Sequence, residues 1–343
     1  MSTNTDSPID YTNDGPGIVV GITILAFVST VVVGLRLWSR RLMKAKLALD
    51  DYLAVAALVV SHVYYASAVA TIIVGGVGRD YRLVTAEGPG KVEALFKTLL
   101  ASEVLYGVSS PLIKLAVLAL LWRVFPTPAM RIGCIVLTTL SILWFVAIEI
   151  VNFLQCVPLK AFWQVELQAL PTTKCLNFLV YFLGNSIANT FIDFATLILP
   201  VREILKLQMT RSRKIAFSGV FLFGGITLGS SLARTIGLGL LVKHGATNFT
   251  KQFELAGAAS VVEIYAGVIA SCLPLMMPIF RKMLHAVGLG TQNATPTPIG
   301  GQRANSGNMY KDSSLHFARL RDDDSVEMDA YAHTRGTSDR HLV

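Results

Sequence analysis

Residues 94–121 read ALFKTLLASEVLYGVSSPLIKLAVLALL, an apolar stretch that also contains Glu103 and Lys114. A bilayer has a hydrocarbon core of about 30 Å and a helix rises about 1.5 Å per residue, so about 20 apolar residues make one crossing. Ionisable residues inside such a span are costly, and they face one another or a wet cavity where function is concentrated. This stretch therefore predicts a membrane span and marks a candidate site.

Six further apolar stretches of similar length accompany it in a chain that is 53% hydrophobic and only 15% charged. They are residues 17–38, 53–77, 132–154, 178–201, 215–242 and 255–280. This composition lies outside the range of soluble domains. The sequence predicts an all-α, seven-helix transmembrane bundle over residues 17–285. Residues 1–16 are predicted to be extracellular, and residues 286–343, rich in Thr, Pro, Gly, Ser and Asp, to be a disordered cytoplasmic tail.

Charge in the loops predicts the orientation. The segment before the first span lacks Lys and Arg, whereas Arg40, Arg41, Lys44 and Lys46 follow that span directly. The positive-inside rule then places the N-terminus outside and, after seven crossings, the C-terminus in the cytoplasm. The loop after the second span is an exception. It carries four basic residues, Arg79, Arg82, Lys91 and Lys97, which are accompanied by the acidic residues Asp80, Glu87 and Glu93. The net charge of +8 is spread over short loops, which indicates contact with an anionic bilayer and argues against nucleic acid as a partner.

Two features of the predicted outer loops are typical of the secretory route. Cys156 and Cys175 lie in one such loop, where an oxidising compartment would let them form a disulfide. Two free thiols are the alternative. The sequon at Asn248 lies in another outer loop and predicts a glycosylation site.

Six ionisable residues lie inside the predicted spans. They are Glu103, Lys114, Glu149, Asp193, Arg234 and Glu263. Counting from the span ends places Lys114 and Asp193 at one depth in the inner half, and Glu103, Arg234 and Glu263 together in the outer half. We therefore predict two layers, with one ion pair between Lys114 and Asp193 and a second cluster of Arg234 with Glu263, in which Glu103 is a further candidate member. The alternative is that these pairs only hold the bundle together.

Other patterns predict packing. Asn177, Tyr181, Asn185, Asn189 and Asp193 recur every four residues on the fifth span, so that stripe should face inward. For Asn177 and Asn185 we favour hydrogen bonds between helices, and for Asn189 and Asp193 the wall of a polar cavity. Gly225, Gly229, Ala233 and Gly237 on the sixth span predict close contact with another backbone.

Asp50 and Asp51 begin the second span. Acidic residues there favour a helix N-cap and partners for the helix dipole. A contact with the basic first loop is the second interpretation.

A set of motifs in fixed order supports a family assignment. They are Asp50-Asp51-Tyr52, Glu103-x-x-Tyr106 followed by Lys114, Cys156-x-Pro158 with Cys175, Asn189-x-x-x-Asp193, Arg234, Glu263 and Cys272-x-Pro274. With these motifs the chain resembles the fungal rhodopsin-like seven-helix membrane proteins, which include a satratoxin-cluster membrane protein and relatives of an appressorium-associated receptor. The resemblance implies the seven-helix fold. It does not imply retinal, because no lysine for a Schiff base occurs between residues 255 and 280.

No enzyme motif is present: the sequence lacks HExxH, a paired CxxC and a phosphate-binding glycine loop. We expect a protein that is not an enzyme and uses no cofactor or metal. The preferred interpretation is a receptor-like protein of the plasma membrane. It would bind a small apolar or amphipathic ligand in the outer half, between the third, fifth, sixth and seventh spans, and act on a cytoplasmic signalling partner. The candidate cavity residues are Glu103, Tyr106, Lys114, Asn189, Asp193, Arg234 and Glu263. The alternatives are a metabolite or proton transporter associated with secondary metabolism and a structural membrane protein.

Overall fold

The structure, a computed structural model, describes residues 11–206, 211–244 and 249–286. Its helices are α1 (Gly15–Leu42), α2 (Leu49–Ile73), α3 (Tyr81–Ala86), α4 (Pro89–Val124), α5 (Pro128–Leu154), α6 (Phe178–Ile198), α7 (Val201–Lys206), α8 (Arg211–His244) and α9 (Phe249–Ala286). Within these ranges, seven helices are long and apolar enough to cross a membrane: α1, α2, α4, α5, α6, α8 and α9. The predicted class, a seven-helix membrane bundle, is confirmed.

Most of these helices extend beyond the apolar stretches, and at two of them the local sequence shows where the helix begins. The α4 helix begins at Pro89, directly after Gly88, and proline is favoured in the first helical turn. The Thr127 side chain accepts a hydrogen bond from the backbone N–H of Met130 and starts α5. Hydropathy therefore locates the spans, and residues of the preceding loop locate the starts of α4 and α5.

The bundle is arranged around α4 and α9, which are mostly buried, whereas the other spans turn most of their surface outward. Tyr64, Tyr106, Trp144 and Tyr265 belong to the main hydrophobic cluster between the helices. Polar residues on α4 and α9 are thus held away from lipid, and the other spans can meet it.

One end of the bundle, here called the disulfide end, is closed by the segment between α5 and α6. The Cys156–Cys175 disulfide is present, as predicted, and it joins strand β1 (Cys156–Val157) to strand β2 (Lys174–Cys175) in an antiparallel pair. A connected group of aromatic rings packs at this end. It consists of Phe96, Phe162, Phe178, Phe182, Phe249 and Phe253.

The loop before α4 at the same end pairs its own charges. Arg79 contacts Glu87 at 2.7 Å, and this hydrogen bond lowers the pKa of the exposed Glu87 carboxyl. The basic residues that depart from the orientation rule are thus partly neutralised within their own loop. Asn248, the predicted glycosylation site, lies outside the described residues.

The opposite end, here called the basic end, contains the C-terminal parts of α1 and α4 and the start of α5, with Arg40, Arg123 and Arg131. Residues 287–343, which hold nearly all of the predicted tail, lie outside the described part of the chain.

The predicted packing role of the small residues on α8 is wrong for two of them. A Cβ atom at Gly225 or Gly229 would meet nothing within 4 Å. Close approach occurs elsewhere: a Cβ at Gly224 would lie 2.6 Å from the Leu197 side chain, and one at Gly267 would lie 2.7 Å from Ile113. A four-residue spacing identifies one face of a helix but does not say which face meets a neighbour.

Candidate functional site

Lys114 and Asp193 form a buried ion pair between α4 and α6. The Lys114 ammonium lies 2.9 Å from Asp193 Oδ1, and both side chains are less than a tenth exposed. Lys114 also donates to Ser110 Oγ at 2.6 Å, and Ser231 on α8 donates to Asp193 Oδ2 at 2.7 Å. The predicted partner of each charge is therefore correct, and hydroxyl groups complete the coordination.

Arg234 and Glu263 form the second predicted pair, between α8 and α9. Arg234 Nη2 lies 3.4 Å from Glu263 Oε2. The two atoms lack hydrogen-bond alignment, and neither has a hydrogen-bond partner in the described part of the chain. Tyr106 donates to Glu263 Oε1 at 2.7 Å, and the Arg234 guanidinium carbon lies 4.5 Å from the centre of the Tyr106 ring. The attraction is thus electrostatic, with a cation–π contact added.

Asn189 joins the two pairs. Its amide nitrogen donates to Asp193 Oδ2 at 3.0 Å and to Glu263 Oε1 at 2.9 Å. Its amide oxygen accepts from Lys114 at 2.8 Å and from Ser110 at 3.0 Å. One fully buried amide with four hydrogen bonds therefore connects the two layers that depth predicted.

We call this connected set the core network, and its members are Tyr106, Lys114, Asn189, Asp193, Arg234 and Glu263. Its ionised members carry two positive and two negative charges, so the set is neutral as a whole. Buried charges are tolerated when they are paired and hydrogen-bonded, which the network achieves except at the Arg234–Glu263 contact. That contact is the least satisfied point of the network.

Glu103 adds a further carboxyl group beside this neutral set. It interacts electrostatically with Arg234, but no described residue forms a hydrogen bond with its carboxylate. Two cavities meet at its side chain. The disulfide-side cavity, about 50 Å³, lies between α1, α2, α4 and α9, and the Arg234 cavity, about 20 Å³, also touches Ser186 and Arg234. Glu103 is thus a surplus carboxylate that faces open space.

A further cavity lies on the other side of the core network. The basic-side cavity, about 80 Å³, is lined mainly by apolar residues of α4, α6, α8 and α9, with Lys114, Asp193 and Glu263 as polar members. The sequence placed one ligand cavity in the outer half between these four helices. The structure instead divides the space, because the core network fills the middle of the bundle. The small Arg234 cavity occupies the expected place.

The polar stripe on α6 serves several purposes. Asn177 caps the helix, since its side chain accepts from the backbone N–H groups of Leu179 and Val180. Tyr181 donates to Asn152 on α5 at 2.8 Å. Asn185, which was expected to bond another helix, lines the Arg234 cavity instead. Asn189, which was expected to line a cavity, is the centre of the hydrogen-bonded network.

Glu149 lies outside the core network, close enough to Glu103 for the two carboxyl groups to interact electrostatically. Its carboxylate packs over Gly107 of α4, where a Cβ atom would collide with it. Both carboxylate oxygens are buried without a hydrogen-bond partner among the described residues. The absence of a side chain at Gly107 makes room for this group.

A second charged cluster at the basic end was only partly anticipated. Arg36 donates to Asp51 at 2.9 Å and to Asp50 at 2.8 Å, and Arg40 reaches the same two carboxylates at 3.0 and 3.2 Å. Arg123 of α4 adds a contact of 3.2 Å to Asp50. We call these five residues the arginine clamp. The second interpretation of the two aspartates, a contact with basic residues, is the main one, although Asp51 also accepts from the backbone N–H of Ala48.

Arg36 is the residue that sequence reasoning missed. It is fully buried and also donates to the backbone oxygen of Ser271 on α9 at 2.6 Å. A signal was available: Arg36 and Arg40 are four residues apart, so they share one helix face near two adjacent aspartates.

No group of three or more His, Cys, Asp or Glu side chains suited to a metal ion occurs in the described part of the chain.

The fold and its charged interior define a seven-span membrane protein with polar groups concentrated between the central helices. The family model for the fungal rhodopsin domain matches residues 35–282, and the chain belongs to this family. The matched range includes every residue of the arginine clamp and of the core network.

Curated relatives are similar along much of the chain. The Polyenoic acids biosynthesis gene cluster protein Ba17b of Metarhizium anisopliae is 26% identical over 93% of this chain and 85% of its own length. The Wortmanamides biosynthesis cluster protein C of Talaromyces wortmannii is 26% identical over 78% of this chain and 70% of its own length. A SAT4 family membrane protein of Emericella nidulans is 28% identical over 56% of this chain and 48% of its own length. No solved structure matches the chain.

Proposed function

We propose that this protein is a receptor-like membrane protein that binds a small amphipathic ligand beside Glu103 and passes the change to its basic end. The observation that carries the proposal is the position of Glu103, a surplus carboxylate at the meeting point of two cavities and next to Arg234. An intramembrane charge without a fixed partner is a functional candidate. Seven helices closed by a disulfide at one end suit a ligand-binding bundle.

The path to the other end runs through the core network. A polar ligand group that binds Glu103 or Arg234 competes with the poorly aligned Arg234–Glu263 contact. Glu263 shares Asn189 with Asp193, so a shift of Glu263 alters the surroundings of Lys114 and the basic-side cavity. A ligand can move such an equilibrium only by its different affinity for the two arrangements.

The setting we propose follows the relatives. Two of them carry the names of biosynthesis clusters for secondary metabolites. A ligand from such a pathway would be sensed at the plasma membrane, without retinal, and the readout would be a cytoplasmic partner at the basic loops. We propose no enzymatic step.

The test is a thermal-shift screen of small amphipathic metabolites on the purified full-length protein. At least one compound should stabilise the protein, and Glu103→Gln should remove that shift while leaving unfolding without ligand almost unchanged. Glu93→Gln is the matched control, because this residue is on the same helix and its side chain pairs with Lys97 near the disulfide end. A compound that stabilises the protein and its Glu103→Gln variant equally would place the binding site elsewhere and refute the proposal.

Transport of a metabolite or proton is the second candidate. It is favoured by the presence of cavities on both sides of one continuous polar network. Flux across vesicles that is lost in Glu263→Gln, while the variant remains folded, would support transport. Ligand-dependent stabilisation without flux would support the receptor. If neutralising Glu103, Arg234 and Glu263 only lowers the yield of folded protein, the buried charges have a structural role alone.

A further inference from the structure

The surface near the basic end carries a groove that is separate from the core network. Its volume is about 650 Å³, within the range of small-molecule sites, and it runs between the start of α2, the end of α4 and the start of α5. The apolar residues along it include Leu49, Leu53, Leu115, Leu118, Trp122 and Ile135. Leu49 is 70% exposed and Ile135 is 55% exposed. The groove therefore opens outward, where a bilayer would surround the helices.

The arginine clamp beside this groove carries more positive than negative charge. The arginine clamp contains three arginines and two aspartates, which leaves one positive charge in excess. Arg36 and Arg40 are almost fully buried, whereas the Arg123 side chain is 45% exposed and lines the groove. The excess charge is therefore presented by Arg123 at the groove.

A second cation lies close by. The Arg131 guanidinium carbon is 5.6 Å from the centre of the Trp122 ring, and Trp122 lines the groove. Aromatic and basic side chains at the end of a span are typical of the headgroup level of a bilayer. Two guanidinium groups near one apolar groove suit a phosphate oxygen anion, which arginine binds through paired hydrogen bonds.

We propose that this groove binds an anionic phospholipid of the surrounding leaflet. One acyl chain lies along Leu53, Leu115 and Ile135, and the phosphate contacts Arg123 and Arg131. A lipid with a neutral headgroup gains the apolar contact but leaves the excess charge of the clamp uncompensated. Because Arg123 also contacts Asp50, the bound headgroup would be connected to the junction of α1, α2 and α4.

The test is native mass spectrometry of the detergent-purified full-length protein with phosphatidylserine or phosphatidylcholine added. Phosphatidylserine should be retained more strongly, and Arg131→Gln should lower its retention about 5-fold, as expected for one arginine near a membrane surface. Arg123→Gln should act similarly, but it also loosens the clamp, so Arg131→Gln is the decisive variant. Lys97→Gln is the matched control, because Lys97 lies over Trp163 near the disulfide end.

A second variant separates the groove from its charges. Ala119→Leu narrows the groove while keeping both arginines, and it should lower the retention of both lipids. Equal retention of the two lipids, or an unchanged preference in Arg131→Gln, would overturn the proposal. Displacement of phosphatidylserine by inorganic phosphate would do the same, since it would show that the acyl chain contributes nothing.

Discussion

The arginine clamp and the core network contain similar groups, buried cations and carboxylates, but they differ in how completely those groups are bonded. In the clamp, every carboxylate oxygen of Asp50 and Asp51 contacts an arginine. In the core network, Arg234 Nη2 and Glu263 Oε2 lack hydrogen-bond partners among the described residues, and cavities lie on both sides. A fully bonded cluster resists rearrangement, whereas a partly bonded one next to open space can rearrange at lower cost. We infer that the arginine clamp fixes α1, α2 and α4 against one another. We infer that the core network rearranges when a ligand binds.

The largest effect should come from Arg36→Ala. This change removes the ion pairs to two buried aspartates and the hydrogen bond to Ser271 on α9. Leaving buried carboxylates without their partner costs about 3–5 kcal/mol. The thermal unfolding temperature of the purified protein should fall strongly, and much of the protein should fail to fold. Arg41→Ala, a change at an exposed neighbour, should have little effect. Equal behaviour of the two variants would contradict a structural role for the clamp.

The second effect distinguishes the network from the clamp. Arg234→Met leaves Glu263 buried without its cation and should destabilise the protein by about 3–5 kcal/mol. Adding Glu263→Met should recover part of that loss, because no unpaired charge then remains, although Tyr106 and Asn189 lose an acceptor. Ligand response or flux should stay absent in the double variant. If the double variant is no more stable than the single one, this pair has a structural role like that of the clamp.

A smaller effect is expected from exchanging the charges of the other pair. Lys114→Asp and Asp193→Lys should each reduce the yield of folded protein. The double variant should recover part of it, by a coupling energy of about 1–2 kcal/mol. Recovery should be incomplete, since Ser110, Asn189 and Ser231 are placed for the original charges. A double variant that expresses no better than either single one would argue against direct coupling of the two side chains.

The smallest effect on stability should come from Glu103→Gln. Its carboxylate has no hydrogen bond to lose within the described residues, and a neutral amide is easier to bury than a charge. The free energy of unfolding should change by less than about 1 kcal/mol, in either direction. A large loss of stability would mean that Glu103 helps to hold the helices together, as the arginine clamp does.

The sequence predicted the scaffold and the charge pairs well for identifiable reasons. Long apolar stretches reveal spans, and counting residues from a span end gives the depth of a side chain, which was enough to pair Lys114 with Asp193 and Arg234 with Glu263. Depth does not give the rotation of a helix about its axis. For that reason Asn189 was assigned to a cavity wall, and Gly225 and Gly229 to a helix contact.

Other parts of the site could not be predicted because they depend on several helices at once. The four hydrogen bonds of Asn189 involve α4, α6 and α9, and no local pattern announces them. The cavities are the space left after packing, so their division by the core network appears only in three dimensions. The contacts of Arg36 were not predicted because its partners lie on two other helices, α2 and α9.

The four hydrogen bonds of Asn189 also bear on how this protein can diverge. Since one amide bonds members of both ion pairs, a substitution at Lys114, Asp193 or Glu263 removes a hydrogen bond from the amide that also serves the other pair. A single substitution at one of these positions is therefore destabilising. These charged residues are expected to be retained together or replaced together. The lipid-facing sides of the same helices carry no such linkage and are free to vary one residue at a time.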